Sequence, residues 1–458
     1  MDMNLFFIEA LDLRKHPIKK AKKKIRAEYI TALSYIVNTI ANHPDKHSDI
    51  SSQIENTGHI LESVTIQKYT TERLKLYQTL LFADVEQPDF ANSINEKVGL
   101  RAVASCVSRP WRKKYRLMLV CDVALILLES SLVTQAIMII KGCLSKKNKE
   151  EVNRILLSLF DESDIDKKHL IIAPMIKQYR LNRAFLSQKE RRIIVTANMS
   201  AGKSTLINAL IGKPLARTSQ EVCTGNACYL FNKAFEDDNV HLATRSLTMK
   251  ATTDELHVYE WSGPVSIASY FTTSTPQIPK MCIIDTPGVD AALYKEHTKL
   301  TYNALLNDDY DMALYVVCPT NLGTDAETKH LKWVAQNIPN EKIVFVLNKL
   351  DNYRDCSDSI EESILGLKKD LLKIGFEDPT ICPISAYFSY LIKLKMTGQI
   401  LSADEADEYA YLSKKFMRSS YDLSHYYNGS QFSDNESEET KLSKRAGLYG
   451  LEKIIYGG

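Results

Sequence analysis

From Arg191 onward, short apolar runs alternate with longer amphipathic stretches, and this alternation constrains the fold more than any other feature. The runs are RIIVTA, MCIIDTPG, ALYVVCP, IVFVLNK and ICPISA. Each is short, rich in β-branched residues and nearly continuously apolar, the pattern of a strand buried on both faces. Such strands separated by helical stretches predict an α/β domain, a mostly parallel sheet with helices on both faces. The chain before Arg191 has a different texture, with little glycine and apolar residues spaced by three and four. In AEYITALSYIVNTIANH, the residues Tyr29, Ile30, Leu33, Ile36, Val37 and Ile40 share one helical face. EEVNRILLSLFDES and KHLIIAPMIKQYRLNRAFL continue the pattern, and Pro174 marks a break. A chain of 458 residues exceeds one ordinary core. The expected organisation is an all-α region over 1–185 and an α/β domain over 186–458. The polar stretch 424–445 reads as a flexible loop within that domain, and GLYGLEKIIYGG as a final short helix.

Several classes are disfavoured early. A net charge of +2 gives no global field for nucleic acid, and no nucleic-acid partner is expected. Nine scattered cysteines without CxxC spacing form neither a disulfide framework nor a zinc site, and fit reduced thiols in the cytoplasm. The N-terminus lacks the basic, apolar, small-residue order of a secretory signal. Leu117–Ile140 is apolar enough to suggest a membrane span. It carries Asp122 and Glu129, however, and reads better as one buried helix or as two meeting near Glu129. Arg14 to Arg26 holds eight basic residues, either a solvated helix face or a patch for an anionic membrane surface. The expected location is cytoplasmic, with a peripheral membrane association left open.

The first strand runs into Ala197-Asn198-Met199-Ser200-Ala201-Gly202-Lys203-Ser204, followed by a helix starting near Lys203. The phosphate-loop pattern is G-x-x-x-x-G-K-[ST] between a strand and a helix. Its backbone N–H groups curl around phosphate oxygens, and the helix N-terminus adds partial positive charge. Gly202 permits close approach, Lys203 neutralises β and γ oxygens, and Ser204 offers a hydroxyl to Mg²⁺. Ala197 departs from the pattern, which matters only if that position needs a positive φ. Three further motifs follow in order, each at the end of an apolar run. Asp285-Thr286-Pro287-Gly288 offers a carboxylate to Mg²⁺ and a Gly288 amide to a γ-phosphate. Asn348-Lys349-Leu350-Asp351 resembles the guanine-reading N-K-x-D motif, whose aspartate accepts from guanine N1–H and the N2 amino group. Ser385-Ala386 resembles a fifth motif whose backbone amide meets guanine O6. An open α/β sheet binds its ligand at the carboxyl ends of its strands, so the expected ligand is GTP with Mg²⁺.

ANMSAGKSTLINALIGKPLARTSQEVCTGNACYL resembles the dynamin superfamily, especially bacterial dynamin-like proteins. The resemblance covers roughly residues 185–458 and is strongest at the phosphate loop and DTPG. It implies a GTPase with a switch threonine that coordinates Mg²⁺ and positions water; Thr224 fits best and Thr218 less well. It assigns catalysis to Ser200, Lys203 and Thr224, metal binding to Ser204, Thr224 and Asp285, and nucleotide contacts also to Asn198, Ala201 and Thr205. It also implies homodimers formed face to face through the GTPase domain. Val289 stands where a Ras-like enzyme carries its water-orienting glutamine, and Met199 where dynamins carry a polar residue, so slow basal turnover is expected. The family usually carries a helical stalk and membrane tip after the GTPase domain, whereas here the helices lie in front. Alternatives are a slow or non-hydrolysing GTP-gated module recruiting a protein partner through the N-terminal helices, a membrane-surface protein, and an Era-like ribosome-associated GTPase, against which the lack of a recognisable RNA-binding domain after the GTPase core counts.

Overall fold

The computed structural model describes residues 8–41, 66–86, 94–161, 165, 169–198, 200–216, 227–244, 246–256, 265–276, 279–289, 295–321, 323–354, 359–428 and 432–457. The chain forms two compact units. One comprises residues 1–188 together with 233–252, and the other comprises 189–232 together with 253–458. The first boundary falls three residues beyond the expected one, at 188 rather than 185. The excursion of residues 233–252 belongs with the first unit, beyond the 1–185 range expected for the helical region.

The second unit contains seven described strands: β1 (Arg191–Ala197), β2 (Cys228–Asn232), β3 (Val265–Ser269), β4 (Met281–Asp285), β5 (Met312–Val317), β6 (Ile343–Leu347) and β7 (Thr380–Pro383). Their order is β3-β2-β4-β1-β5-β6-β7, parallel throughout except for the antiparallel β2–β4 pair. The five apolar runs of the sequence are β1, β4, β5, β6 and β7. All five residues of β4 and of β6 are buried, as continuous apolar strands require. Register brings one set of strand ends into line. Val195 pairs with Asp285, Ala197 with Val316, Val317 with Leu347, and Leu347 with Pro383. The loops after β1, β4, β6 and β7 therefore emerge along one edge.

The stretch 424–445 is not a featureless loop. Among its described residues it holds a turn at Ser424–Tyr426 and a helix at Glu438–Arg445. Ser437 caps that helix by accepting from Thr440 N, Glu438 and Glu439 occupy its first turn, and Lys444 and Arg445 its last. Its polarity misleads because few positions face inward; Leu442, Ser443 and Lys444 are the buried ones. The final helix spans Leu448–Tyr456, as read from sequence. Its Glu452 forms a fully buried ion pair with Lys393 at 2.5 Å and accepts from Ser274 N at 2.7 Å.

The first unit is helical, as expected, with Lys23–Ala41, Ile66–Leu81, Glu96–Val107, Lys113–Leu127, Ser130–Gly142, Lys146–Phe160 and Ala173–Leu186. Every residue from Tyr115 to Leu127 is buried, so this helix is the centre of its unit. Asp122 on it accepts from Tyr29 Oη at 2.5 Å and Tyr77 Oη at 2.9 Å, and pairs with His16 Nε2 at 3.0 Å. These partners explain how a buried carboxylate is tolerated in an apolar segment. The chain then breaks at Leu128, with φ 58°, so the suspected span is two helices. Among the described residues, no helix is long and apolar enough to cross a membrane. The excursion adds an antiparallel pair, His241–Ala243 with Leu247–Thr248. Its Asp237 accepts from Lys233 Nζ and from Leu11 N, both at 2.7 Å.

Candidate functional site

β1 ends at Ala197, a buried residue in extended conformation whose carbonyl accepts from Val289 N at 3.1 Å. The position that departs from the phosphate-loop pattern therefore has no positive φ, and alanine fits it. Positive φ falls instead at Ser200 (63°) and Gly202 (89°). Asn198 O accepts from Ala201 N at 3.3 Å, which closes the loop. Gly202 precedes the helix Lys203–Ile211, the start expected from sequence. Lys203, Ser204 and Thr205 fill its first turn, where backbone N–H groups lack intrahelical partners and carry the positive end of the helix dipole.

Four of the sequence motifs converge here. The Lys203 ammonium pairs with the Asp285 carboxylate at the end of β4, both side chains about a tenth exposed. After Asp285, the Thr286 hydroxyl donates to Val195 O at 2.8 Å and Pro287 O accepts from the Thr301 hydroxyl at 2.7 Å. Gly288 is half-buried, and Val289 is buried and bridged to Asn198. On the other side, Asn348 donates to Ala201 O at 3.0 Å and accepts from Ala386 N at 3.0 Å. One side chain thus ties the phosphate loop to the Ser385–Ala386 turn. Lys349 takes the left-handed conformation (φ 66°), and its Cε lies beside Gly202. Asp351 sits in the turn Leu350–Asn352 and accepts from the Ser385 hydroxyl at 2.7 Å.

The Ala386 amide donates to Asn348, and Ser385 caps the helix Ala386–Met396 by accepting from Phe388 N, so this turn braces the other motifs. Thr224, Thr218 and Met199 lie outside the described residues. Sequence reading also missed three neighbours. Lys415 donates to Asp351 O at 2.7 Å and to Tyr353 O at 2.6 Å. Glu327 and His330, on the helix Asp325–Asn337, reach Asn198 and Thr196.

The donor set fits Mg²⁺. Ser204, in the first turn of the helix, and Asp285, at the end of β4, offer hard oxygens, and Mg²⁺ characteristically takes one or two such protein ligands beside phosphate and water. Among the described residues there is no cluster of three or more His, Cys, Asp or Glu that would hold a metal in an all-protein cage.

Residues 193–350 match the model of the dynamin family. A curated relative, "Probable transmembrane GTPase FZO-like, chloroplastic" of Arabidopsis thaliana, is 24% identical over 216 residues. The match covers 47% of this chain and 21% of the relative, so the chain spans about a fifth of that protein's length. Among solved structures, Aquifex aeolicus Era bound to GDP and AlF4⁻ is 17% identical, with a TM-score of 0.27; the match covers 47% of this chain and 58% of that one.

Proposed function

The chain belongs to the dynamin superfamily through residues 193–350, and from that premise we propose that it binds GTP with Mg²⁺ and hydrolyses it to GDP and phosphate. The observation that carries this reading is the meeting of Gly202-Lys203-Ser204, Asp285 and Asn348–Asp351 at the carboxyl ends of β1, β4 and β6. The loop amides and Lys203 bind the phosphates, and phosphate oxygens compete with Asp285 for the Lys203 ammonium. Ser204, Asp285 and Thr224 would hold Mg²⁺, which would supply neutralising charge to the phosphates. Asp351 accepts from guanine N1–H and N2, a pair of donors that adenine does not present. Ser200 and the Gly288 amide face the transferring group, and two such domains meeting across nucleotide complete the site.

The test is phosphate release per molecule across a hundredfold range of protein concentration, with Lys203→Ala as the blank. Specific activity that climbs with concentration supports a GTPase completed by dimerisation. Turnover that stays at the blank while GTP binds refutes hydrolysis and favours the second reading, a GTP-gated module that recruits a partner through its N-terminal helices. The buried position of Val289 favours that module, because it leaves no water-orienting side chain at that place.

An anionic membrane surface is a further candidate partner. In the helical unit, Lys15, Lys20 and Lys114 line a cavity of about 260 Å³ with Tyr115, Met118 and Ile171. None of these lysines makes an ion pair among the described residues, and Trp111 is 70% exposed one turn before Lys114. Co-sedimentation with phosphatidylserine vesicles at low salt supports the membrane partner, and its absence there refutes it.

A further inference from the structure

Beside the phosphate loop lies a set of buried polar groups that the proposed chemistry does not use. Asn198 Nδ2 donates to Glu327 Oε2 at 2.7 Å, and Thr196 Oγ1 meets His330 Nε2 at 3.2 Å. Thr196 and Asn198 are two apart at the end of β1, so they leave the strand on the same face. Glu327 and His330 are three apart on the helix Asp325–Asn337, so they also share a face. The two periodicities match, and the strand end is laced to the helix by two rungs. The outer rung attaches to the loop itself.

This lacing is an expensive way merely to pack a helix. Glu327 and His330 are each 1% exposed. Asn198 Oδ1 and His330 Nδ1 are buried without a protein hydrogen-bond partner among the described residues, and the Glu327 carboxyl meets only the buried Tyr315 hydroxyl besides Asn198. Burial drives the Glu327 carboxyl upward and His330 down to about 3. An apolar pair of similar size would pack the helix without these penalties. The helix also has independent anchors, since Leu331 and Val334 are buried and Trp333 stacks on Tyr302 at 3.7 Å. What the outer rung adds is control of Asn198, whose backbone also bridges Val289 directly after DTPG.

We propose that Glu327 is a positioning residue for the nucleotide site: it grips the Asn198 side chain and so fixes the curl of the loop whose amides wrap the phosphates. The inference rests on the reading of this loop as a GTP site. The contact acts on the loop backbone, which meets phosphates common to GDP and GTP. Its loss therefore weakens both nucleotides alike, as a uniform binding defect does, and leaves the chemical step largely intact.

The experiment measures GDP and GTP affinity by calorimetric titration, kcat at saturating GTP, and melting temperature, on the full chain. Glu327→Ala is expected to weaken GDP and GTP together by about tenfold, the loss of one hydrogen bond to an ionisable group, with kcat changed by less than about threefold. Asn198→Ala reads the same contact from the loop side should Glu327→Ala fail to fold. The double variant Asn198→Asp with Glu327→Gln reverses donor and acceptor, and is expected to bring both affinities back to within about threefold of wild type. A lowered melting temperature with unchanged nucleotide affinity overturns the proposal, because the contact is then only structural. Failure of the reversed pair to restore affinity also overturns it. A wild-type chain that binds neither nucleotide overturns the GTP-site reading, and this inference with it; wild type that binds while Glu327→Ala binds equally well overturns the inference alone.

Discussion

Gly202 and Ala197 make opposite demands, and exchanging glycine and alanine between them tests how the loop works. Gly202 has a φ of 89°, where an L side chain costs about 1–2 kcal/mol. A Cβ there would also press on Asn348 Nδ2, well inside van der Waals contact. Asn348 makes two hydrogen bonds, to Ala201 O and from Ala386 N, each contributing about 0.5–1.5 kcal/mol. Gly202→Ala is therefore expected to destabilise the loop by roughly 3 kcal/mol, which corresponds to about a hundredfold in GTP affinity. At Ala197 the chain is an ordinary strand. Ala197→Gly restores the written phosphate-loop pattern yet is expected only to destabilise, by about 0.5–1 kcal/mol, with no gain in affinity. Urea unfolding and GTP titration on both variants read these quantities. Gly202→Ala binding GTP as tightly as wild type, or Ala197→Gly binding it more tightly, would refute the reasoning.

Other outcomes follow from the same geometry. Asp351→Ala removes the carboxylate proposed to accept from guanine and leaves the Ser385 hydroxyl without that partner. The preference for GTP over ATP in a competition assay should collapse by about a hundredfold. Ser204→Ala should raise the Mg²⁺ concentration giving half-maximal phosphate release by roughly tenfold or more, while Mg²⁺-free nucleotide binding changes little. In the helical unit, burial pushes the Glu9 carboxyl from 4.5 to about 8, despite Arg73 and Tyr69 beside it. The folded chain then keeps a proton that the unfolded chain releases, so this group's contribution is most favourable below pH 4.5 and is lost as pH rises to about 8. Thermal melts of wild type and Glu9→Gln should differ in slope across that range, with the variant flatter; parallel curves would contradict the assignment.

How much of this was legible in the sequence depends on how local each signal is. Asp285 and Asn348–Asp351 sit at the ends of strands whose apolar runs are complete in themselves, so they could be read without the fold. The break at Leu128 was legible because Glu129-Ser130-Ser131 interrupts an otherwise apolar run. The β2–β4 pairing was not, because an antiparallel neighbour looks locally like a parallel one. The helix Glu438–Arg445 was hidden because few of its positions face inward. Glu327 and His330 gave no signal at all. Their i, i+3 spacing acquires meaning only against Thr196 and Asn198, more than a hundred residues earlier. The hydrogen bonds that tie Asp351 to Ser385 and Asn348 to Ala386 are visible only in three dimensions.

The excursion 233–252 makes the helical unit discontinuous in the chain, and this bears on how the protein is made. A ribosome completes residues 1–188 before it has synthesised Lys233 and Asp237, so the Leu11 N–Asp237 bond must wait while the phosphate loop emerges. At about 5–20 residues per second that interval lasts a few seconds, long enough for an incomplete helical core to meet other chains. Cutting between 188 and 189 should not yield a clean fragment, because the N-terminal piece lacks Asp237 and the other piece carries an orphaned hairpin. A division that respects the fold would splice 233–252 back onto the helical unit through a short linker, and only then ask what each half does alone.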